Sequence, residues 1–344
     1  MRIAVIIPFR GDSAVLAWAL EGFAAQRLDD GTQLEVRLCG DGVVVPSLTR
    51  VSNPRITFQS VSSPRVGISE AKNLLLRDRP ADVVIFANAD TRPHSEFVQA
   101  HVRRLLSLPA NSMVLGASPY EASSNPTVFD VLKEESPMIF FYRGLRGGDC
   151  CDFRHAWNLN VSVRYEDLER IRFFNSQFRP YGFEDLDLAF RLMGHSPNVY
   201  FEPAAAVVHR HPMTFDDYLQ REELLGVMSP VLHAQNPVVF KQLHGTDDLD
   251  ALTAQFQSWL TLDRAMHGWI YKRMQEWNSL PATALGMGNE RDRLVMALYQ
   301  MHVPLKRFAF RAGFLQGLQW REDGRWQERR SIGTWKKALG IQDA

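Results

Sequence analysis

Hydrophobic positions in the first two-thirds of the chain fall into short, dense runs. Apolar stretches at 3–7, 34–38, 56–58, 83–87 and 113–117 are each bounded by turn residues, the pattern of strands buried on both faces. Amphipathic stretches at 14–26, 69–77 and 96–108 separate them. This alternation predicts an α/β fold on a mostly parallel sheet. After Pro212 the texture changes. Thr214 followed by Asp217 reads as a helix start, and apolar spacing continues through Leu219, Leu224, Leu225 and Met228, then through 256–269 and 293–301. A helical extension at 213–344 is therefore expected after an α/β part at 1–212.

Composition narrows the function classes. Lys+Arg and Asp+Glu each total 39, so no global field points to nucleic acid. Of the cysteines Cys39, Cys150 and Cys151, the last two are adjacent, a poor geometry for a bridge, which suits a reducing compartment. The run at 3–7 ends at Pro8, too short for a signal segment, and no stretch approaches the roughly 18 apolar residues of a membrane span. A cytoplasmic protein is expected. The tail is basic, with Lys306, Arg307, Arg311, Arg321, Arg325, Arg329, Arg330, Lys336 and Lys337 interleaved with Phe308, Phe310, Phe314, Leu315, Leu318 and Trp320. Three readings stay open for it: a solvated face of packed helices, peripheral docking on the inner face of an anionic membrane, or a homodimer contact.

Ligands of parallel α/β sheets bind at the carboxyl ends of strands. The first strand delivers Pro8-Phe9-Arg10, the second leads to Asp41, and the fourth to Asn88-Ala89-Asp90. A carboxylate leaving a buried strand can hold a divalent cation; the plainer reading of Asp41 and Asp90 is a turn carboxylate. Glu184, Asp185 and Asp187 open an amphipathic helix, where acids suit the helix dipole. That role is assigned to Asp187. Glu184 and Asp185 follow Gly182-Phe183, and from such a junction a carboxylate can take a proton from a hydroxyl. In Val207-Val208-His209-Arg210-His211 strand alternation puts both histidines on one face, away from Arg210, as metal ligands or as structural residues.

In this order the motifs resemble family 2 glycosyltransferases of the GT-A fold, with a second half similar to the galactosyltransferase carboxy-terminal region. The resemblance covers roughly residues 1–225. It implies a nucleotide-diphospho-sugar transferase sheet, Rossmann-like and mixed, with nucleotide-sugar binding in 1–118 and the acceptor and catalytic part in 119–212. Residues 3–9 look like the opening nucleotide-binding strand, and Asp41 falls where a carboxylate reads the base. Arg65 to Asn73 is similar to the Gly-x-x-x-Ala-Arg-Asn segment near the diphosphate, with Lys72 for the usual arginine. Asn88-Ala89-Asp90 occupies the Asp-x-Asp position, Asn replacing the first acid. The segment holding Trp157, Asn158 and Asn160 looks like the one that meets the acceptor or donor sugar. Gly182-Phe183-Glu184-Asp185 resembles the Glu-Asp motif, and His209 the late histidine ligand.

The resemblance implies that Asp90 and His209, joined by His211, hold Mn²⁺ or Mg²⁺ against the diphosphate of a UDP-, GDP- or dTDP-sugar. It implies Asp185 as general base, with Glu184 contacting acceptor or donor. Transfer to a saccharide or lipid-linked acceptor hydroxyl would invert the anomeric centre. Two rivals remain. A nucleotidyltransferase would need a Gly/Arg-rich phosphate loop after the first strand, and only Gly11 stands there. A non-catalytic relative kept as a binding or scaffold module would account for Asn88. A Rossmann dehydrogenase would need Gly-x-Gly-x-x-Gly after the first strand, and this sequence has none there.

Overall fold

The computed structural model describes residues 1–46, 52–194, 196, 198–262, 264–322 and 334–341, without the side chains of 320–322. Chain contacts divide it into two units. The first comprises Met1–Glu121, Gly144–Arg179 and Glu184–His211; the second Ala122–Arg143, Pro180–Phe183 and Pro212–Ala344.

The first unit is α/β. Its leading strands are β1 (Arg2–Phe9), β2 (Gln33–Asp41), β3 (Ile56–Ser63) and β4 (Val83–Ala87), with α1 (Ser13–Ala24) and α2 (Ile68–Leu76) between them. Further along lie β5 (Thr91–Pro93), α3 (Phe97–Leu106), β6 (Met113–Gly116), β7 (Cys150–Cys151), β8 (Asn160–Arg164) and α5 (Tyr165–Arg170). Then come α6 (Glu184–Met193), β9 (Val199–Glu202) and β10 (Val207–His209). Among the described residues the main sheet has eight strands, ordered β3-β2-β1-β4-β8-β6-β9-β7. The first four run parallel. β8 lies antiparallel to both β4 and β6, so the sheet is mixed. A two-stranded ribbon pairs β10 with β5 antiparallel.

Every residue of β4 is buried, as its unbroken apolar run requires of a strand covered on both faces. One core side of the sheet gathers Ile3, Val5 and Ile7 with Leu34, Val36 and Leu38 against Leu16, Leu20 and Phe23 of α1 and Val98 and Val102 of α3. The rim of β8 is fixed by polar groups. Asn160 donates from Nδ2 to the carbonyls of Ala117 and Ala205, at 3.0 and 2.9 Å. Its Oδ1 lies 2.7 Å from Nε2 of His101, whose Nδ1 meets Ser162 Oγ at 2.9 Å. Burial pushes the His101 imidazole down to about 4, so it is neutral at pH 7.

The second unit is helical: α4 (Val128–Glu135), α7 (Phe215–Gln235), α8 (Pro237–His244), α9 (Leu249–Leu262), α10 (Arg264–Asn278), α11 (Gly288–Glu322) and α12 (Thr334–Leu339). α7 begins with the capping box of Thr214 and Asp217 that the spacing predicts. α7 and α11 pack with their backbones in close approach. A Cβ on Gly226 would collide with the Phe310 carbonyl, one on Gly313 with that of Glu223, and one on Gly317 with that of Val227. Leu305, Phe308 and Phe314 of the basic tail are buried, the first two in a cluster with Phe215, Tyr218, Met274 and Trp335. These aromatics stabilise the helical core rather than forming an exposed apolar stripe. Arg325, Arg329 and Arg330 lie outside the described residues. Among those described, no helix is long and apolar enough to cross a membrane.

Candidate functional site

The carboxyl ends of the parallel strands carry the first group of side chains. Pro8 is half-buried and Phe9 buried at the end of β1, and Arg10 is exposed just beyond. Asp41, buried at the end of β2, accepts on Oδ1 from the backbone N–H groups of Val66, at 2.6 Å, and Gly67, at 3.1 Å. It thereby shapes the loop into α2, as a turn carboxylate does. Gly67, with φ of +93°, leaves no room for a side chain: a Cβ would lie 2.6 Å from the Arg179 carbonyl oxygen. Arg65 is exposed.

At the end of β4 the chain turns at Asn88, whose carbonyl accepts from Thr91 Oγ1 at 2.7 Å, and enters the β5–β10 ribbon. The register sets His209 opposite Thr91, and Arg210 N–H donates to the Asp90 carbonyl at 2.8 Å. Asp90 is thus carried beside two histidines. Its Oδ2 lies 3.4 Å from His209 Nε2 and 3.0 Å from His211 Nδ1. One ligand atom from each of the three residues falls within 4.8 Å of the others. His209 is buried between two parallel rings, Tyr120 at 5.1 Å and His211 at 5.3 Å. Burial alone would raise the Asp90 carboxyl, but hydrogen bonding and charge from the two imidazoles hold it well below the usual carboxylate range. Asp90 Oδ1 is buried with no hydrogen-bond partner among the described residues. A carboxylate beside two imidazoles is a donor set that could hold a divalent cation.

Alternation puts Arg210 on the opposite side of β10. It donates from Nε and Nη2 to Glu121, at 2.7 and 2.6 Å, and lies 3.9 Å over the Trp18 ring. Glu121 N–H in turn donates to the His209 carbonyl at 2.9 Å. Sequence reasoning missed Trp18, Tyr120 and Glu121. Arg210 had a signal, because a residue between two candidate ligands on one strand must anchor the other face.

The second group surrounds the start of α6. Phe183, just before it, has φ of +67°, a costly conformation for a bulky residue. Glu184 and Lys72 are both almost wholly buried and form an ion pair at 3.3 Å, and Lys72 also lies 4.7 Å over the Phe174 ring. Burial and the adjoining Glu184 push the Asp185 carboxyl up to about 7, with Lys72 opposing them. Asp187 is buried and bound by Arg191 Nε at 2.8 Å, and Arg191 donates onward to the carbonyls of Ile171 and Phe173. Lys72 stands in α2, whose N-cap residue Gly67 is tied by Asp41 to the end of β2.

The predicted sugar-contacting residues divide. Trp157 and Asn158 are buried. Among the described residues, neither amide atom of Asn158 has a hydrogen-bond partner. Asn160 spends its amide on the sheet. Because Ala87 pairs with Asn160, Asn158 precedes β8 on the Asp90 side of the sheet.

No protein-family model matches the chain, and no curated protein matches it. Solved structures it resembles include S. aureus TarS 1-349, at 12% identity, 94% coverage of this chain, 92% of that chain and a TM-score of 0.45. The same TarS 1-349 in complex with UDP is 14% identical over 94% of this chain and 92% of that one, with a TM-score of 0.43. A longer S. aureus TarS chain is 12% identical over 91% of this chain but 55% of its own length, at a TM-score of 0.45.

Proposed function

We propose that the chain is a GT-A glycosyltransferase of the family 2 kind, moving a sugar from a nucleoside-diphosphate sugar to an acceptor hydroxyl with inversion. The observation that carries the proposal is the Asp90, His209 and His211 cluster, whose acid follows the carboxyl end of β4, one of the parallel strands of the mixed sheet. The raised Asp185 carboxyl supports it from a second direction.

Asp90, His209 and His211 would hold Mn²⁺, which when bound supplies Lewis-acid stabilisation of the charge developing on the departing β-phosphate. The exposed guanidinium groups of Arg10 and Arg65 offer further positive charge for the diphosphate. Asn88 offers an amide to the ribose. The unsatisfied amide of Asn158 offers one donor and one acceptor site to a sugar hydroxyl. Asp185 accepts the acceptor's O–H proton as the new O–C1 bond forms. The C1–O bond to phosphate breaks with its electron pair leaving on the nucleoside diphosphate, and attack from the opposite face inverts C1. A carboxyl near 7 suits this task, since general-base catalysis works best with a pKa near the operating pH and contributes ~10²–10⁴-fold. Glu184, neutralised by Lys72, holds the junction that presents Asp185.

Asn88 in place of an acid favours a second reading, a binding module without turnover. One experiment decides between them. UDP-, GDP- and dTDP-sugars are screened for thermal stabilisation with and without Mn²⁺, and the stabilising donor is assayed for nucleoside-diphosphate release. The transferase reading expects Mn²⁺-dependent stabilisation by at least one donor, slow release, and loss of both in Asp90→Ala. Stabilisation without release supports the module. No stabilisation by any donor removes both readings.

A further inference from the structure

Just before α6 the segment Pro180–Phe183 belongs to the helical unit, although Arg179 before it and Glu184 after it belong to the α/β unit. Each flank is anchored. Ile68 N–H donates to the Arg179 carbonyl at 2.9 Å, and Glu184 holds its buried ion pair with Lys72. The segment between them is gripped by α7. Arg221 donates from Nη2 to Tyr181 Oη at 3.1 Å, and its guanidinium lies 5.7 Å from the centre of the Tyr181 ring. Nη1 of the same fork donates to the buried Glu222 at 2.6 Å, which fixes the guanidinium plane. Gly182, at φ of +136°, packs close to α7: a Cβ there would stand 3.3 Å from Leu225 Cδ2 and 3.2 Å from Met228 Cβ.

Phe183 follows with φ of +67°, a conformation that a bulky residue keeps only where its surroundings over-determine it. Glu184 alone separates it from Asp185. A backbone rotation this close to a carboxyl swings it bodily, and a misplacement of ~1 Å at a reacting group can cost ~10²-fold in rate. The grip of α7 therefore bears on where the Asp185 carboxyl stands.

We propose that Arg221 and Tyr181 are positioning residues for Asp185: the guanidinium, through the tyrosine, holds the segment before α6 in the conformation that presents the base to the acceptor hydroxyl. Neither residue needs to touch the reacting atoms. The inference rests on the transferase reading, in which Asp185 takes the proton.

The test follows nucleoside-diphosphate release from UDP-, GDP- and dTDP-sugars by the full chain with Mn²⁺, water serving as acceptor, beside hydrogen exchange of the backbone amides at 181–187. Tyr181→Ala should lower kcat at least tenfold with the donor KM within twofold, and exchange in that stretch should quicken at least tenfold. Tyr181→Phe keeps the ring beside the guanidinium and should retain at least a third of the wild-type kcat. Arg221→Gln should match Tyr181→Ala, and the two together should be no slower than either. Should Arg221→Gln fail to fold, because it also takes a partner from Glu222, the variants of the exposed Tyr181 decide the matter by themselves. Wild-type kcat in Tyr181→Ala, a rise in donor KM at unchanged kcat, or unaltered exchange overturns the positioning role and leaves the transferase reading in place. A wild-type chain that releases no nucleoside diphosphate overturns that reading, and this inference with it.

Discussion

Arg210 grips Glu121 through two hydrogen bonds, at 2.7 and 2.6 Å, while standing in sequence between His209 and His211. A side chain held this way fixes the strand that aims both imidazoles. Outer groups of this kind commonly change metal affinity by ~10–100-fold. Arg210→Lys and Glu121→Gln should each weaken Mn²⁺ binding about tenfold by titration calorimetry, and the double variant should be no worse than either. Additive losses would mean that the two act separately.

Asp185, with its carboxyl near 7, should impose a transfer rate that rises with pH up to about 7 and then levels. Only the ionised form accepts a proton. Asp185→Asn should remove turnover while keeping donor-induced stabilisation. The stability sign is opposite. A carboxyl whose folded pKa is raised binds its proton more tightly in the native state, so ionisation costs stability as pH climbs from about 4 to 7. The melting temperature of Asp185→Asn should gain on the wild type across that window and run parallel to it above.

Lys72→Met leaves Glu184 buried without its cation. Breaking such a pair from one side typically costs ~3–5 kcal/mol. The double variant Lys72→Met/Glu184→Gln should regain much of that in urea denaturation, because a neutral amide replaces a stranded charge. Equal instability of the single and double variants would mean that packing, not charge, sets the loss.

Gly313→Ala drives a methyl group into the Glu223 carbonyl. Overpacking of this kind costs ~1–3 kcal/mol or more. Gly11→Ala, with nothing within 4 Å of the added carbon, should be neutral in the same denaturation series. Indistinguishable midpoints would show that α7 and α11 can part without cost.

The features that proved legible were local ones. Continuous apolar runs marked β1, β2, β4 and β6, and Thr214 with Asp217 marked the start of α7. Asp90, His209 and His211 could be singled out because strand ends and strand alternation leave a pattern in the chain. β8 is not among the strands that the apolar runs mark: inserted antiparallel between β4 and β6, it takes its place from tertiary pairing. Asn160 reads as sugar-facing until His101, 59 residues away, claims its amide. Lys72 and Glu184 lie 112 residues apart, so no local signal showed that each neutralises the other. The Arg210–Glu121 grip spans 89 residues and leaves no sequence trace either.

Asp90 and His211 are 121 residues apart in the chain yet 3.0 Å apart across the ribbon. The site exists only where β10 pairs with β5 and brings the two distant segments side by side. A fragment of residues 1–118 would carry the acid without its imidazoles. Affinity for a cation should vanish at the denaturant concentration that dissolves the sheet, making ion uptake a gauge of completed folding.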